Sequence, residues 1–226
     1  MDLQENKVPA AKQVYKKFFF EPHEGLRVLF VGNSITHHGP KPDIGWDLDC
    51  GMAASCLEND YVHVVKKYIL DTVPNASVGI CHVSDFEREF LTMNDLKKEF
   101  EGAVEFKPNL VIMFFGANVA WKWAEEVGFE NATVIFGEAY ERFRNTLAGD
   151  RDVDFFHVQG FYNKPYLDKS KEIVAEKYGD TYVLLGDDIR LNPEYRGLFN
   201  HPNDEGMKAI ADCLWEKIRQ TVEEYR

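Results

Sequence analysis

The stretch Leu26-Arg-Val-Leu-Phe-Val-Gly-Asn-Ser34 is the most informative part of this sequence. Residues 26–31 form a mostly apolar run of strand length, and the run stops at Gly32. A run that is continuous rather than alternating is typical of a strand covered on both faces of a parallel sheet. The stretch therefore predicts an inner strand that presents Ser34 at its carboxyl end.

Further segments of the same character alternate with helical patterns. The other predicted strands are 76–83, 110–115, 153–158 and 181–185. Helical spacing of apolar residues predicts helices over 60–70, 95–106, 138–147, 169–178 and, at the C-terminus, a helix with an apolar stripe from Met207 to Val222. This alternation predicts a single-domain, three-layer α/β/α sandwich around a parallel sheet of about five strands, because right-handed crossovers place helices on both faces. We expect the domain to span 26–226 and residues 1–25 to form an extension packed on it.

The chain has 226 residues and a formal net charge of −12, from 26 basic and 38 acidic side chains. This acidic balance argues against nucleic acid and anionic membranes as partners, because the overall field repels both. The four cysteines form no CxxC pair, so neither a disulfide framework nor a zinc or redox motif is indicated. The first 24 residues contain no signal-peptide core, and no apolar run approaches the roughly 20 residues of a membrane span. These features predict a cytoplasmic protein.

The connection after the first strand, residues 37–59, is long and rich in glycine, proline and aspartate. Long connections at this edge of an open sheet are usually functional or form a lid, since ligands bind at the carboxyl ends of the strands. His37 and His38, with nearby aspartates and Cys50, could be read as a metal cluster. Their spacing matches no recognised metal site, so we expect neither a metal nor another cofactor.

Polar side chains that could carry chemistry stand at the predicted edge of the sheet. Ser34 follows the first strand, Asn118 follows the third strand in Gly116-Ala-Asn118, and His201 precedes the last helix. A helix that began near Ser34 would also direct free N–H groups toward an anion there. Each residue alone is more typical of a cap, a turn or a surface position. Together they supply a nucleophile, an oxyanion donor and a general base, the minimal set for acyl transfer.

The blocks Gly32-Asn-Ser34, Gly116-x-Asn118 and His201-Pro-x-x-x-Gly206 resemble those of the SGNH hydrolases, also called GDSL-like lipases or esterases. The resemblance extends from about residue 27 to the C-terminal helix. It implies a flavodoxin-like α/β/α fold and the hydrolysis of esters, often O-acetyl groups on carbohydrates.

The resemblance also implies roles for individual residues. Ser34 would be the nucleophile and His201 the general base. The Ser34 N–H and the Asn118 side chain would form part of the oxyanion hole. The expected partners are small-molecule or carbohydrate esters, and the sequence does not define an oligomeric state.

One departure from the family concerns the acid of the catalytic triad. The family usually has an aspartate three residues before the histidine, and that position is Leu198 in this chain. In a standard triad, loss of the aspartate costs about 10⁴ in kcat. The candidates to hold His201 instead are a backbone carbonyl near Leu198 and three carboxylates, Asp187, Asp188 and Glu194. The carbonyl is favoured because it needs no long reach.

A second departure concerns the glycine that normally follows the second strand and donates to the oxyanion. Residues 81–88 contain no glycine. A backbone N–H does not require one, so Ser84 or Asp85 could still donate. The carboxylates of Asp85 and Glu87 would, however, add negative charge near the oxyanion, which is unfavourable unless they point at substrate hydroxyls.

The sequence therefore predicts a serine esterase for short-acyl esters, above all O-acetyl esters on carbohydrate. Aromatic side chains in the cleft would suit a sugar ring, although core or lid packing explains each equally well: Trp46, Phe86, Trp121 and Trp123. Leu198 and the missing glycine also fit a catalytically impaired carbohydrate-binding protein of the same fold. A flavodoxin-like nucleotide or flavin binder is a further alternative, but the phosphate-binding patterns GxxxxGK[ST] and GxGxxG are absent.

Overall fold

One sheet forms the centre of the computed structural model, which describes residues 19–20 and 25–226. Its strands are β1 Phe19–Phe20, β2 Arg27–Gly32, β3 Ser77–His82, β4 Leu110–Phe114, β5 Asp154–Val158 and β6 Thr181–Val183. Their order is β1-β3-β2-β4-β5-β6. Strands β2 to β6 pair in parallel and confirm the predicted sheet, whereas β1 adds an antiparallel edge. The order of the parallel strands is that of flavodoxin-like sheets.

The helices of the described residues fill the gaps between strands. They are α1 Tyr61–Thr72, α2 Ser84–Glu89, α3 Leu96–Glu99, α4 Glu101–Phe106, α5 Trp121–Val127, α6 Phe129–Ala148, α7 Pro165–Tyr178, α8 Asp187–Arg190 and α9 Asp204–Glu223. The helix predicted over 95–106 is divided into α3 and α4 because the backbone of Phe100 leaves the helical region (φ −118°, ψ 33°). Sequence patterns missed α2, α5 and α8, since elements this short show no apolar periodicity.

The two faces of the sheet are covered by separate helical layers. Residues of β2 alternate between the two core clusters, with Val28 and Phe30 on one face and Leu29 and Val31 on the other. Helices α1 and α9 pack together on the first face, and α6 and α7 pack together on the second. Burial on both faces explains why consecutive residues of this strand are apolar.

The carboxyl ends of the parallel strands meet at one edge of the sheet. Gly32 of β2 is in register with His82 of β3 and with Phe114 of β4. The segments that follow these three strands therefore lie side by side. Ser34 and Asn118 stand in two of these segments, so the fold places both at the same edge.

The proposed division into an extension over 1–25 and a domain over 26–226 stays a prediction, because 1–18 and 21–24 lie outside the described residues. The described part of the extension pairs with β3, with Phe19 opposite Ile80. Within the described ranges, no helix combines the length and the apolar character needed to cross a membrane.

A largely buried polar chain outside the motif blocks joins α6 and β5 to Asp180, the residue before β6. The Tyr140 hydroxyl lies 2.9 Å from Nδ1 of His157, and Nε2 of the same ring lies 2.9 Å from the Asp180 carboxylate. Arg144 donates two hydrogen bonds to Asp180, at 2.7 and 2.8 Å. Burial lowers the pKa of His157 below its usual 6.5, and the bond to Asp180 only partly opposes this.

Acidification is expected to destabilise the fold through His157. The unfolded side chain takes up a proton near pH 6.5, whereas the buried ring does so only at lower pH. Its stabilising contribution is complete above pH 6.5 and is lost as the pH falls below that value, by up to about 1.4 kcal/mol per pH unit. Denaturant unfolding at pH 7 and pH 5 measures this loss, which should be smaller in His157→Gln than in the wild type. An equal loss in both proteins would contradict the assignment.

Candidate active site

Ser34 lies in a tight turn at the carboxyl end of β2. The Asn33 carbonyl accepts from the N–H groups of Thr36 (2.9 Å) and His37 (3.0 Å), which closes the turn. Gly32 is required before it, since a Cβ there would lie 1.7 Å from the Thr36 hydroxyl oxygen. The turn continues into the long connection of residues 37–59 and not into a helix. The sequence had allowed a helix beginning near Ser34, but no helix dipole acts there.

The hydroxyl of Ser34 lies 2.7 Å from Nε2 of His201. The other ring nitrogen, Nδ1, lies 3.0 Å from the carbonyl oxygen of Phe199. A carbonyl oxygen only accepts, so Nδ1 carries the proton and Nε2 accepts from the serine hydroxyl. The structure thus brings the two side chains together in the tautomer that general-base chemistry requires.

The carbonyl that faces His201 is presented by an unusual backbone. Phe199 (φ 56°, ψ 25°) and Asn200 (φ 60°) both occupy the left-handed region, which residues with a Cβ rarely adopt. Arg196 holds this loop by donating to the Asn200 carbonyl (3.2 Å), and the Gly197 N–H donates to the carbonyl of His201 (2.7 Å). The loop therefore supplies a main-chain acceptor to the ring nitrogen that an aspartate contacts in a standard triad.

The three carboxylates that the sequence offered as partners of His201 do not contact its ring. Asp187 and Asp188 begin the short helix α8 and are exposed, and Asp187 lies 3.7 Å from Arg190. Glu194 is also exposed. No hydrogen bond or ion pair among the described residues joins any of them to His201, whose Nδ1 is occupied by the Phe199 carbonyl. A triad role for Asp187 or Asp188 therefore has no geometric basis here.

Burial determines the protonation state of His201. Burial away from water lowers the pKa of the imidazole below its usual 6.5. The hydrogen bond to the Phe199 carbonyl raises this pKa, whereas electrostatic repulsion by His38 and Arg196 lowers it further. Tyr162 packs edge-on against the ring, with the centroids 6.0 Å apart. The ring is consequently neutral at pH 7 and able to accept a proton.

Asn118 lies at the same edge, in the turn after β4, and its carboxamide is engaged. Its Nδ2 donates to Oε2 of Glu87 at 2.6 Å and, with a longer contact, to Oγ of Ser84 at 3.3 Å. Glu87 is fully buried and also accepts from Nδ2 of Asn33 at 2.9 Å. From the sequence, Glu87 was expected to be an unfavourable charge unless it pointed at substrate hydroxyls, and its contact with Asn118 was not predicted. The one available signal is its place in the first turn after a parallel strand.

Asp85 stands at the start of α2, where its side chain is partly exposed and lies 3.9 Å from Arg88. The Val83 N–H donates to the Gly32 carbonyl at 2.8 Å, which fixes this segment beside the turn that holds Ser34. The Asp85 N–H is thereby brought to the correct edge of the sheet. Its role as the second oxyanion donor stays a prediction.

The aromatic residues considered for sugar binding differ in exposure. Trp46 and Phe86 are core residues, with 3% and 0% of their surface exposed. Trp123 is partly buried against Phe90, with ring centroids 5.0 Å apart. Trp121 is 44% exposed and keeps the largest accessible face of the set.

The histidines of the long connection have other partners. His37 is buried, and its Nε2 lies 3.1 Å from the Asp49 carboxylate. Across 19–20 and 25–226, no group of three or more His, Cys, Asp or Glu side chains is arranged to hold a metal ion.

Comparison with solved structures gives neighbours that are esterases and hydrolases. An acetylxylan esterase from Geobacillus stearothermophilus is 18% identical, with a TM-score of 0.55 over 87% of this chain and 95% of that chain. An α/β hydrolase from the metagenome of Lake Arreo, Spain, is 17% identical, with a TM-score of 0.57 over 86% and 95%. A two-domain esterase active on acetylated mannans is 18% identical, with a TM-score of 0.57 over 88% of this chain and 49% of that one.

These identities are low, so the likeness establishes a fold shared with esterases. No protein-family model matches the sequence, and no curated protein matches it. Any function must therefore be argued from the site itself.

Proposed function

We propose that this protein is a serine esterase of the SGNH type that hydrolyses short-acyl esters, with O-acetyl groups on carbohydrate as the favoured substrates. One observation carries the proposal, namely the 2.7 Å contact between the Ser34 hydroxyl and Nε2 of His201. A hydroxyl held against a neutral imidazole is the arrangement of an activated serine nucleophile. The motif blocks and the fold shared with esterases support the same reading.

The reaction proceeds through an acyl-enzyme. Oγ of Ser34 attacks the ester carbonyl carbon while Nε2 of His201 takes the hydroxyl proton, which then passes to the leaving alkoxide. A water molecule next attacks the acyl carbon and gives its proton to Nε2 of His201. The bond from the acyl carbon to Oγ then breaks, the proton passes from His201 to Oγ, and the carboxylic acid leaves the free Ser34 hydroxyl. The Phe199 carbonyl accepts from Nδ1 throughout and stabilises the imidazolium that forms at each stage.

The tetrahedral intermediates carry a negative oxygen that needs hydrogen-bond donors. The proposed donors are the N–H of Ser34, Nδ2 of Asn118 and the N–H of Asp85. Removing one such donor typically costs about 10² to 10³ in kcat in acyl-transfer enzymes. These donors lie on the segments after β2, β3 and β4, which the sheet holds side by side.

Several features support a neutral, acetylated substrate. The net charge of −12 disfavours an anionic one. Beside His201, the side chains of Leu198 and Phe199 are 55% and 45% exposed and offer an apolar rim. The structural neighbours include an acetyl-xylooligosaccharide esterase and an esterase active on acetylated mannans, and both substrates are uncharged sugars that carry acetyl groups.

A panel of esters tests the proposal. We expect kcat/KM to be higher for p-nitrophenyl acetate than for the butyrate and octanoate, and acetate to be released from acetylated xylo- or manno-oligosaccharides. A fluorophosphonate probe is expected to label Ser34, which peptide mass spectrometry identifies. Binding of acetylated oligosaccharide without hydrolysis or labelling would instead identify a catalytically impaired carbohydrate-binding protein.

The pH dependence of turnover reports on His201. Because burial lowers the pKa of this imidazole below 6.5, the base is unprotonated throughout the neutral range. We expect kcat/KM for p-nitrophenyl acetate to be level between pH 7 and 8. It should fall by about tenfold per pH unit below an apparent pKa that is itself under 6.5. An acidic limb centred above pH 6.5 would contradict the assignment of His201 as the base.

A further inference from the structure

Glu87 is a carboxylate with no exposed surface that lies between the motif blocks. Its Oε1 accepts from Nδ2 of Asn33 at 2.9 Å and from the N–H groups of Gly116 and, at 3.4 Å, of Asn118. Its Oε2 accepts from Nδ2 of Asn118 at 2.6 Å. One buried side chain therefore contacts both the turn that holds Ser34 and the turn that holds Asn118.

The turn after β4 is held from the opposite side by a lysine. Nζ of Lys164 donates to the carbonyl of Ala117 at 2.7 Å and to that of Val119 at 2.6 Å. Burial lowers the pKa of Lys164 and of Lys171, and the negative charge of Glu87 acts against this for both. The N–H groups of the turn thus face a carboxylate, and its carbonyls face an ammonium group. The buried carboxylate of Glu87 thus takes its hydrogen bonds from protein N–H groups.

The carboxamide of Asn118 has a defined orientation in this environment. Its nitrogen faces the Glu87 carboxylate, while its oxygen accepts from the guanidinium of Arg88 at 3.3 Å. Exchanging the nitrogen and oxygen would place acceptor against acceptor and donor against donor. The second hydrogen on Nδ2 points to Oγ of Ser84 at 3.3 Å, a long contact that a charged oxygen can replace.

We propose that Glu87 is a positioning residue for ester hydrolysis. One N–H of the Asn118 carboxamide donates to the Glu87 carboxylate, and this bond leaves the second N–H of Asn118 directed to the oxyanion. This inference rests on the proposed esterase function. Glu87 acts through Asn118 and does not touch the substrate. It differs from a merely structural carboxylate because its loss changes what Asn118 can donate, while the contact between Ser34 and His201 remains.

The first test replaces Glu87 by glutamine, which keeps the size of the side chain. Its amide nitrogen would face Nδ2 of Asn118, so the carboxamide must rotate and the N–H directed to the oxyanion is lost. We expect kcat for p-nitrophenyl acetate to fall by about 10- to 100-fold, at most the lower end of the cost of a lost oxyanion donor, with little change in KM. The acidic limb of the pH profile should not move. Glu89→Gln, on an exposed residue of the same helix, is the matched control.

A double-mutant cycle shows whether Glu87 acts through Asn118. In an Asn118→Ala background, Glu87→Gln is expected to lower kcat by less than about threefold, because the group it positions is already absent. Equal fold-changes in both backgrounds, or a wild-type kcat in Glu87→Gln, would overturn the inference.

A measurement on the unmodified protein covers the case in which Glu87→Gln does not fold. The side-chain NH₂ signals of Asn118, assigned by their loss in Asn118→Ala, should show one hydrogen that exchanges slowly with water. If both hydrogens exchanged rapidly with water, the proposal that Glu87 positions the Asn118 carboxamide would be overturned. A wild-type protein that shows the slow hydrogen but hydrolyses no ester would instead overturn the proposed function, so the two failures are distinguishable.

Discussion

Replacing Ser34 by alanine is expected to lower kcat/KM for p-nitrophenyl acetate by at least about 10³-fold. The variant lacks the hydroxyl that is proposed to form the acyl-enzyme, and the oxyanion donors alone would leave a small residual rate. Ser34 Oγ contacts His201 and is only half-buried, so its loss should change the melting temperature little. Initial-rate kinetics and thermal melting measure the two effects on the same preparations.

The expected size of this loss follows from the acceptor on His201. A complete serine triad contributes about 10⁶ to kcat, and an aspartate that cannot act removes about 10⁴, largely because the imidazole then adopts the wrong tautomer. The Phe199 carbonyl preserves the correct tautomer, since it accepts the Nδ1 proton. It carries no full charge, so it stabilises the imidazolium less than a carboxylate does. The contribution of the Ser34–His201 dyad to kcat should therefore be smaller than that of a complete triad and larger than that of a triad without its acid.

Ser55→Ala is the control for this experiment, because Ser55 is exposed and bonds to Asp204 away from the nucleophile. It should keep wild-type kinetics and fluorophosphonate labelling. A folded Ser34→Ala variant with wild-type turnover would exclude Ser34 as the nucleophile and with it the proposed mechanism.

The sheet was predictable because burial on both faces leaves a direct record in the sequence. Residues 26–31 and 110–115 are apolar at nearly every position, and both segments contain inner strands of the sheet. The position of Ser34 and Asn118 at the same edge of the sheet follows from that prediction, since parallel strands end on the same side. The helix α9 was predictable for a similar reason, because one buried face repeats along its length.

The acceptor for His201 could not be chosen from the sequence. A main-chain carbonyl is present at every residue, and the one that points at Nδ1 is selected by left-handed backbone angles at Phe199 and Asn200. Neither residue is glycine, and although asparagine adopts left-handed angles more often than most residues, phenylalanine does not, so the residue types do not predict this turn. The contacts of Glu87 could not be predicted for a related reason. Whether a carboxylate repels an oxyanion or orients its donor depends on which way the side chain points, and the sequence does not contain that direction.

Replacing His201 by alanine is expected to lower kcat/KM by about as much as Ser34→Ala, because the hydroxyl then has no base. The double variant Ser34→Ala/His201→Ala should be no slower than either single variant, since the two side chains act as one unit. His63→Ala is the control, as its Nδ1 is bonded to Asp60 (2.8 Å) and not to Ser34. Additive losses in the double variant would contradict a shared step.

Added imidazole can test the role of the Phe199 carbonyl in the His201→Ala variant. The space left by the ring lies between Ser34, Tyr162 and the carbonyl, and imidazole can accept from the serine with one nitrogen while donating to Phe199 with the other. 1-Methylimidazole is a base of similar strength, but it lacks the second N–H. A hydrogen bond to a charged group contributes about 1.5–3 kcal/mol, so imidazole should restore at least about tenfold more activity than its methyl derivative. Equal rescue by both bases would show that the carbonyl does not replace the missing acid, because only imidazole has a proton for the carbonyl to accept.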